Sequence, residues 1–179
     1  MSGTFSLLND PHARHAILVH APIVLGGLAA LPLIALACTG FKSGALRVVV
    51  LVVLVLALVG AFVAERAGEA AEENLPDLTS AEEAAVHEHE ELGEGLWLWM
   101  LIPLASTTLT LVPKRGVRLG AGGLALASSL VVAVMIARAA HAGGELVYIH
   151  GIGVPERGAV SSGVPGSAAP VEGAEDEDD

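Results

Sequence analysis

Residues 48–64 read VVVLVVLVLALVGAFVA, a run of seventeen positions without a single polar side chain. An α-helix needs about 17–25 predominantly apolar residues to cross the hydrocarbon core of a bilayer. Only 16% of the 179 residues are charged, compared with about a quarter in a soluble domain. The sequence therefore predicts an all-α integral membrane protein, a four-helix bundle whose spans are this block and three others, 16–38, 96–112 and 119–142.

The chain outside the apolar blocks differs in composition. Residues 1–11 are predicted to form a flexible N-terminus, and residues 12–154 the transmembrane domain. The tail at 155–179 is rich in glycine, serine and alanine and ends in EGAEDEDD. Such a segment cannot bury enough apolar surface to fold, so it is predicted to be a disordered acidic tail. The only cysteine is Cys38, which excludes a disulfide framework, a cysteine-rich zinc site and a doubly attached c-type haem.

The charged residues indicate how the spans are oriented. The two short connections, 39–47 and 113–118, hold five basic residues and no acidic one. The long connection, 65–95, holds eleven acidic residues and one basic residue, Arg66. Because short basic loops stay in the cytoplasm, both termini and the long connection are predicted to be extracytoplasmic.

The long connection is predicted to form an acidic helical hairpin between helices 2 and 3. Pro76 and Asp77 suit the turn of this hairpin. Ser80 and Glu83 have the spacing of a capping box at the start of its second arm. Glu83 also lies four residues before His87, so these two side chains can pair on one helix face.

All seven histidines lie in segments predicted to face outward, namely His12, His15, His20, His87, His89, His141 and His150. His20 lies about one turn inside the first apolar block, and an ionisable group inside a membrane indicates a functional site. His87 and His89 point to opposite sides of a helix because they are two residues apart. At most one of them faces the bundle, and His89 is assigned to the solvated side.

The end of the fourth block carries a further cluster of polar residues. Arg138 and His141 are three residues apart and share a helix face. The following glycine pair permits either a helix end or a close backbone approach. The rim is completed by Glu145, Tyr148 and His150.

Three kinds of site suit this collection of residues. Two neutral imidazoles from different helices of a bundle can hold a b-type haem. A zinc, copper or iron ion bound by histidine and glutamate is a second interpretation. The third interpretation is a group of histidines with a structural or pH-responsive role. The spacing leaves all three open, because the chain contains neither an HExxH motif nor the ExxH motif of di-iron bundles.

For haem and for a bare metal ion the candidate ligands are the same. His20 and His141 come first, followed by His15 and His87. Arg138 is the candidate partner of a haem propionate. The chain carries no hydrolase or transferase motif, so any enzymatic role is at most that of an electron-transfer component.

Two motifs resemble those of a known family. HAILVHAPIVL (15–25) and HAGGELVYIHGIGV (141–154) are similar to the opening and closing motifs of the bacterial membrane proteins of domain-of-unknown-function family 2231. Ala16 and Ala21 depart from the opening motif, which has proline and phenylalanine there. The resemblance implies four helices, and a histidine at the start of the third span, for which His87 is the nearest equivalent.

Relatives that occur with Rieske iron–sulfur or cytochrome c modules imply respiratory electron transfer and therefore favour haem b. The resemblance also implies the bacterial cytoplasmic (inner) membrane as the location. The expected partners are the lipid bilayer, quinol or a periplasmic electron carrier, and subunits of a membrane complex. A metal-binding protein and an accessory subunit without a cofactor remain the alternatives. Nucleic acid is not expected, because the exposed segments are acidic.

Overall fold

The computed structural model describes residues 9–154. The predicted tail at 155–179 and residues 1–8 of the predicted N-terminus therefore lie outside the described residues. The described part is helical and contains no strand, which confirms the all-α class. In chain order its helices are α1 (Pro11–Leu18), α2 (His20–Leu28), α3 (Ala30–Cys38), α4 (Gly44–Glu72), α5 (Ser80–Gly93), α6 (Leu96–Leu109) and α7 (Arg115–Tyr148).

Three stretches are long and apolar enough to cross a membrane. They are Pro11–Cys38, which comprises α1 to α3, and the helices α4 and α7. The predicted third span, 96–112, forms α6, which has fourteen residues and is therefore about 21 Å long. Length and composition thus support three of the four predicted spans.

The two interruptions of the first stretch have a common cause. Val19 separates α1 from α2, and Ala29 separates α2 from α3. Each lies three residues before a proline, Pro22 or Pro32. Proline has no N–H to donate and its ring crowds the carbonyl four residues earlier, so the helical hydrogen bonding fails there.

The helices approach closely because small residues line their contact faces. The buried face of α4 carries Ala57, Ala61 and Ala64. Gly26 of α2 lies against Ile136, and a Cβ atom at Gly26 would come within 2.6 Å of its Cδ1. Contacts of this kind are typical of helices in membranes, where backbone proximity replaces the hydrophobic driving force.

Arginines close the end of the molecule that carries the α3–α4 turn. Arg47 donates to the hydroxyl of Thr110 at 3.0 Å and to the carbonyl oxygen of Phe41 at 2.7 Å. Arg118 donates to the carbonyl oxygen of Gly40 at 3.2 Å. The bonds to Phe41 and Gly40 supply donors to turn carbonyls that have no partner within a helix.

The acidic connection folds as two helical arms, the end of α4 and α5. The arms hardly contact each other, because α5 packs on α7. The capping box at the start of α5 is formed by Thr79 and Glu82, one residue earlier than the predicted pair. The chain bends at Gly95, whose φ of 64° favours glycine. The carboxylate of Glu65 accepts from Gly95 N–H at 2.8 Å and from the Trp97 indole N–H at 3.3 Å. Glu65 therefore fixes the start of α6 against α4.

Candidate functional site

Two imidazoles from distant parts of the chain meet at the end of the bundle opposite the arginines. They belong to His15 of α1 and His89 of α5. Their ring centres are 6.2 Å apart, and the ring planes make an angle of 77°. We call this end of the molecule the histidine end.

Each ring is held by a backbone carbonyl of a neighbouring helix. The Nδ1–H of His15 donates to the carbonyl oxygen of Ala64 on α4 at 2.9 Å. The Nδ1–H of His89 donates to the carbonyl oxygen of Ala139 on α7 at 3.1 Å. A carbonyl can only accept, so Nδ1 carries the proton and Nε2 of a neutral ring keeps a free lone pair. Histidine ligands of metals are oriented by such a bond from their other nitrogen.

A glycine lies beside each ring, four residues after the carbonyl. A Cβ atom at Gly68 would lie 3.1 Å from Cε1 of His15, and one at Gly143 would lie 2.9 Å from Cε1 of His89. α4 and α7 therefore each contain the pattern Ala-x-x-x-Gly, and one imidazole contacts both the alanine carbonyl and the glycine of each pattern. The glycine provides the room and the alanine carbonyl provides the acceptor.

The helices at the histidine end form two pairs. α1 packs against α4, and α5 packs against α7. Few contacts join the two pairs here, apart from those between the two imidazoles. The pairs therefore enclose a space, and each pair contributes one histidine to it.

This space is a cavity of about 490 Å³, a size typical of small-molecule and cofactor sites. His12, His15 and His89 line it. The remaining wall is mostly apolar, with side chains such as Pro22, Leu96 and Ile136. Its other ionisable residues are Glu65, Glu69, Glu72, Glu90 and Glu94, and no lysine or arginine lines it among the described residues.

Burial favours the neutral form of His89. Loss of solvent lowers the pKa of His89 below its ordinary value of 6.5, and the hydrogen bond to Ala139 opposes this only in part. A neutral imidazole whose Nδ1–H is engaged is the form that binds a metal through Nε2.

The stability of the histidine end should therefore fall as the pH drops below about 6.5. His89 binds a proton at its ordinary pKa in the unfolded chain and only at lower pH in the folded one. Between these pKa values the unfolded chain holds more protons, so acidification favours unfolding. Thermal unfolding between about pH 8 and about pH 5 measures the effect, with the His89→Gln variant as the control. An equally steep loss of stability in the variant would contradict this assignment.

Among the predicted ligands, only His15 lines the cavity. His20 is exposed, and its Nδ1 lies 2.8 Å from the carbonyl oxygen of Ala16 on the preceding helix, α1. The side chain of His141 is 79% exposed and faces Glu145, with 3.4 Å between Nε2 and Oε1. The structure thus does not bring His20 and His141 together at the cavity.

The other predicted site residues lie outside the cavity as well. The His87 side chain is 69% exposed and faces Glu90 and Glu91, while Glu83 borders a shallow pocket on the acidic hairpin. Arg138 and Tyr148 are exposed, and His150 is half-buried. None of these side chains is among those that line the cavity.

His89 was expected on the solvated side of α5, but it lines the cavity. Only one of His87 and His89 faces the bundle, as expected, but it is His89. The pattern of the helix contains the signal. His89 shares a face with Val86 and Gly93, whereas His87 belongs to the face that carries the carboxylates.

The fold and the cavity together define an all-α membrane protein with a histidine-lined cavity at one end. Over residues 11–156 the sequence matches the model of the family described as predicted membrane proteins of domain-of-unknown-function family 2231. The chain therefore belongs to this family, which confirms the resemblance seen in the motifs at 15–25 and 141–154. The comparisons with curated proteins and with solved structures give no match.

The two family motifs meet at the cavity. The first contributes His15, Val19 and Pro22 to its lining, and the second contributes Gly143 and Gly153. α7 continues through the glycine pair to Tyr148. Gly143 therefore serves a close approach, that of His89, and not a helix end.

Proposed function

We propose that the protein is a membrane-embedded b-type haem protein for electron transfer, and that His15 and His89 are the two axial ligands. The observation that carries this proposal is the separation of 6.2 Å between their ring centres. Rings at this separation would leave room for one metal atom bound to both, since a metal–imidazole bond is about 2.0 Å long. Both rings are already oriented through Nδ1, which leaves Nε2 for the metal.

The number of ligands favours haem over a bare ion. No group of three or more histidine, cysteine, aspartate or glutamate side chains in residues 9–154 is arranged to hold a metal ion. A structural zinc ion takes four protein ligands, and a catalytic one takes three. Haem iron needs only axial ligands from the protein, because the porphyrin supplies the other four nitrogens.

The cavity wall fits the porphyrin but offers no partner for its propionates. The apolar lining and the small residues beside the imidazoles suit a flat, apolar ring. Arg138 was the predicted propionate partner, but its side chain is exposed and does not line the cavity. The proposal therefore assigns no role to Arg138.

Within this site, the chain holds and orients the group. Bound haem supplies a one-electron couple between ferric and ferrous iron. Ala64 and Ala139 fix the ligand orientation through their carbonyl oxygens, and Gly68 and Gly143 give the rings room. The apolar wall limits the access of water to the site. The electron partner is quinol or a periplasmic carrier.

The proposal includes the topology of a four-helix bundle in the cytoplasmic membrane, with both termini outside. α6 is taken as the fourth span, and its apolar sequence from Leu96 to Leu109 supports this. The basic residues of the two short connections lie at the end opposite the histidines, where Arg47 and Arg118 close the turn. That placement suits the cytoplasmic side.

Purification in a mild detergent, with visible spectra of the oxidised and dithionite-reduced protein beside a metal analysis, tests this function. We expect about one haem and one iron per chain, with sharp absorbance bands after reduction, as two axial ligands on one haem require. A colourless protein that binds zinc or copper stoichiometrically would favour the bare-metal alternative. A protein with neither colour nor metal, after growth with excess haem precursor, would contradict both.

A further inference from the structure

The cavity is open on the side between the first membrane stretch and α7. Ala16 and Ile23 on one side, and Ala140 and Val147 on the other, line the cavity and are also exposed at the surface. A residue with both properties lies at the edge of an opening. α2 packs on α7, whereas direct packing of α1 on α7 is slight in the part of the chain that the structure describes. The opening therefore lies between α1 and α7.

The edge of this opening is apolar along its length. It consists of Ala16, Val19 and Ile23 facing Ala140, Gly144 and Val147. Both sides belong to stretches that are long and apolar enough to span a membrane. An apolar edge in such a position faces lipid, since charged or polar groups would be expensive there. Glu69, Glu72, Glu90 and Glu94 also line the cavity and are exposed, but they belong to residues 65–95 and not to α1, α2 or α7.

We propose that this opening admits a membrane-soluble quinol or quinone, whose apolar tail lies between α1 and α7 and whose ring lies at the His12 side of the cavity, beside the space between His15 and His89 and not within it. The inference rests on the proposed function only for the reason why a redox-active molecule would enter. Binding itself requires the opening and the polar groups behind it. An opening toward lipid favours a partner from the bilayer over a water-soluble carrier.

The charge of the cavity selects a neutral head group. Five glutamates line the cavity, and no lysine or arginine from residues 9–154 does. Arg66, which lies outside the lining, pairs with one of them, Glu69, at 2.8 Å, so the lining remains acidic. The phosphate of a phospholipid would meet like charge, whereas a quinol or quinone ring is uncharged and carries hydrogen-bonding oxygens.

His12 supplies a partner for these oxygens. Its ring lines the cavity, and its Nε2 is buried without a hydrogen-bond partner among the described residues. A buried polar atom left unpaired is unfavourable. Since this nitrogen is shielded from the cavity space as the ring lies, a rotation of the ring toward the ligand would pair it with a ligand oxygen and remove that cost. Gly153 packs beside the same ring, with 3.4 Å between a Cβ atom placed there and Cδ2 of His12.

Photolabelling in lipid nanodiscs tests the inference. The probe is a short-chain quinone with a photoreactive azido group, and the labelled residues are identified by peptide mapping. We expect labelling within 16–23 and 140–147, with competition by the unlabelled quinone. Labels spread over all lipid-facing helices, or labels that the unlabelled quinone does not displace, would overturn the inference.

Two glycines of α7 provide a matched pair of variants. A Cβ atom at Gly144 or at Gly123 meets nothing within 4 Å, so a larger side chain starts in open space at either site. Only Gly144 lines the cavity. Gly144→Leu should fill the opening and reduce labelling by about tenfold or more, the scale of an overpacked contact, while Gly123→Leu should leave it unchanged. Ala140→Leu is a second variant with the same expected loss.

The outcomes separate this inference from the proposed function. Visible absorbance of each sample reports haem independently of labelling. Haem without competed labelling would overturn the quinone site and leave the haem proposal intact. Labelling that Gly144→Leu abolishes, in a protein without haem, would support the quinone site and refute the haem proposal. Stronger labelling of the same residues by a photoreactive phosphatidylcholine would identify a phospholipid as the occupant and overturn the inference.

Discussion

Replacement of His89 by alanine should abolish haem binding, whereas replacement of His141 should leave it unchanged. His89 presents a half-buried, neutral imidazole to the cavity opposite His15. Loss of one axial ligand should reduce haem affinity by more than the roughly 10–100-fold that follows from losing a residue that only orients a ligand. The haem-to-protein ratio of the purified variants measures this effect.

The controls use histidines that the sequence also offered as ligands. His20→Ala and His141→Ala remove exposed side chains that do not line the cavity. Both should retain the haem content of the unmodified protein, and His15→Ala should behave like His89→Ala. His89→Met should keep some haem and raise its reduction potential, because methionine is a known axial ligand with that effect. Full haem content in His89→Ala, combined with its loss in His141→Ala, would refute the ligand assignment.

A single methyl group beside His89 should also weaken haem binding. In Gly143→Ala the new Cβ atom would lie 2.9 Å from Cε1 of His89, so the imidazole must move. Since the ring is held by one hydrogen bond to Ala139, this displacement should lower haem affinity by about 10–100-fold. Titration of the purified, haem-depleted variant with haem measures the change.

The neighbouring glycine is the matched control. A Cβ atom at Gly144 meets nothing within 4 Å, and alanine is favoured over glycine in a helix by about 1 kcal/mol. Gly144→Ala should therefore keep its haem affinity and gain slightly in thermal stability. If both alanine variants bound haem equally well, the room beside His89 would have no role in binding.

The apolar spans and the grouping of the histidines could be predicted from the sequence. A run such as 48–64 is favourable only in apolar surroundings, and it is long enough to cross the bilayer as a helix. Pro22 and Pro32 are local signals of the same kind, because the first stretch is interrupted three residues before each. These features depend on local chemistry, which a single sequence contains.

The pairing of His15 with His89 depends on distances that no local pattern provides. The acceptors are backbone carbonyls of Ala64 and Ala139, and every residue has such a carbonyl. Which carbonyl is in reach depends on how the helices pack and rotate. Gly68 and Gly143 mark the two places where a ring can approach closely, but their partners become visible only in the folded chain.

Electron paramagnetic resonance of the oxidised protein from the purification above tests the central claim most directly. Ferric haem with two imidazole ligands is low-spin, and ring planes near the observed 77° make its signal highly anisotropic. We predict such a signal in the unmodified protein and its loss in His15→Ala and His89→Ala. A high-spin ferric signal in the unmodified protein, or a low-spin signal that survives both substitutions, would contradict a haem held between His15 and His89.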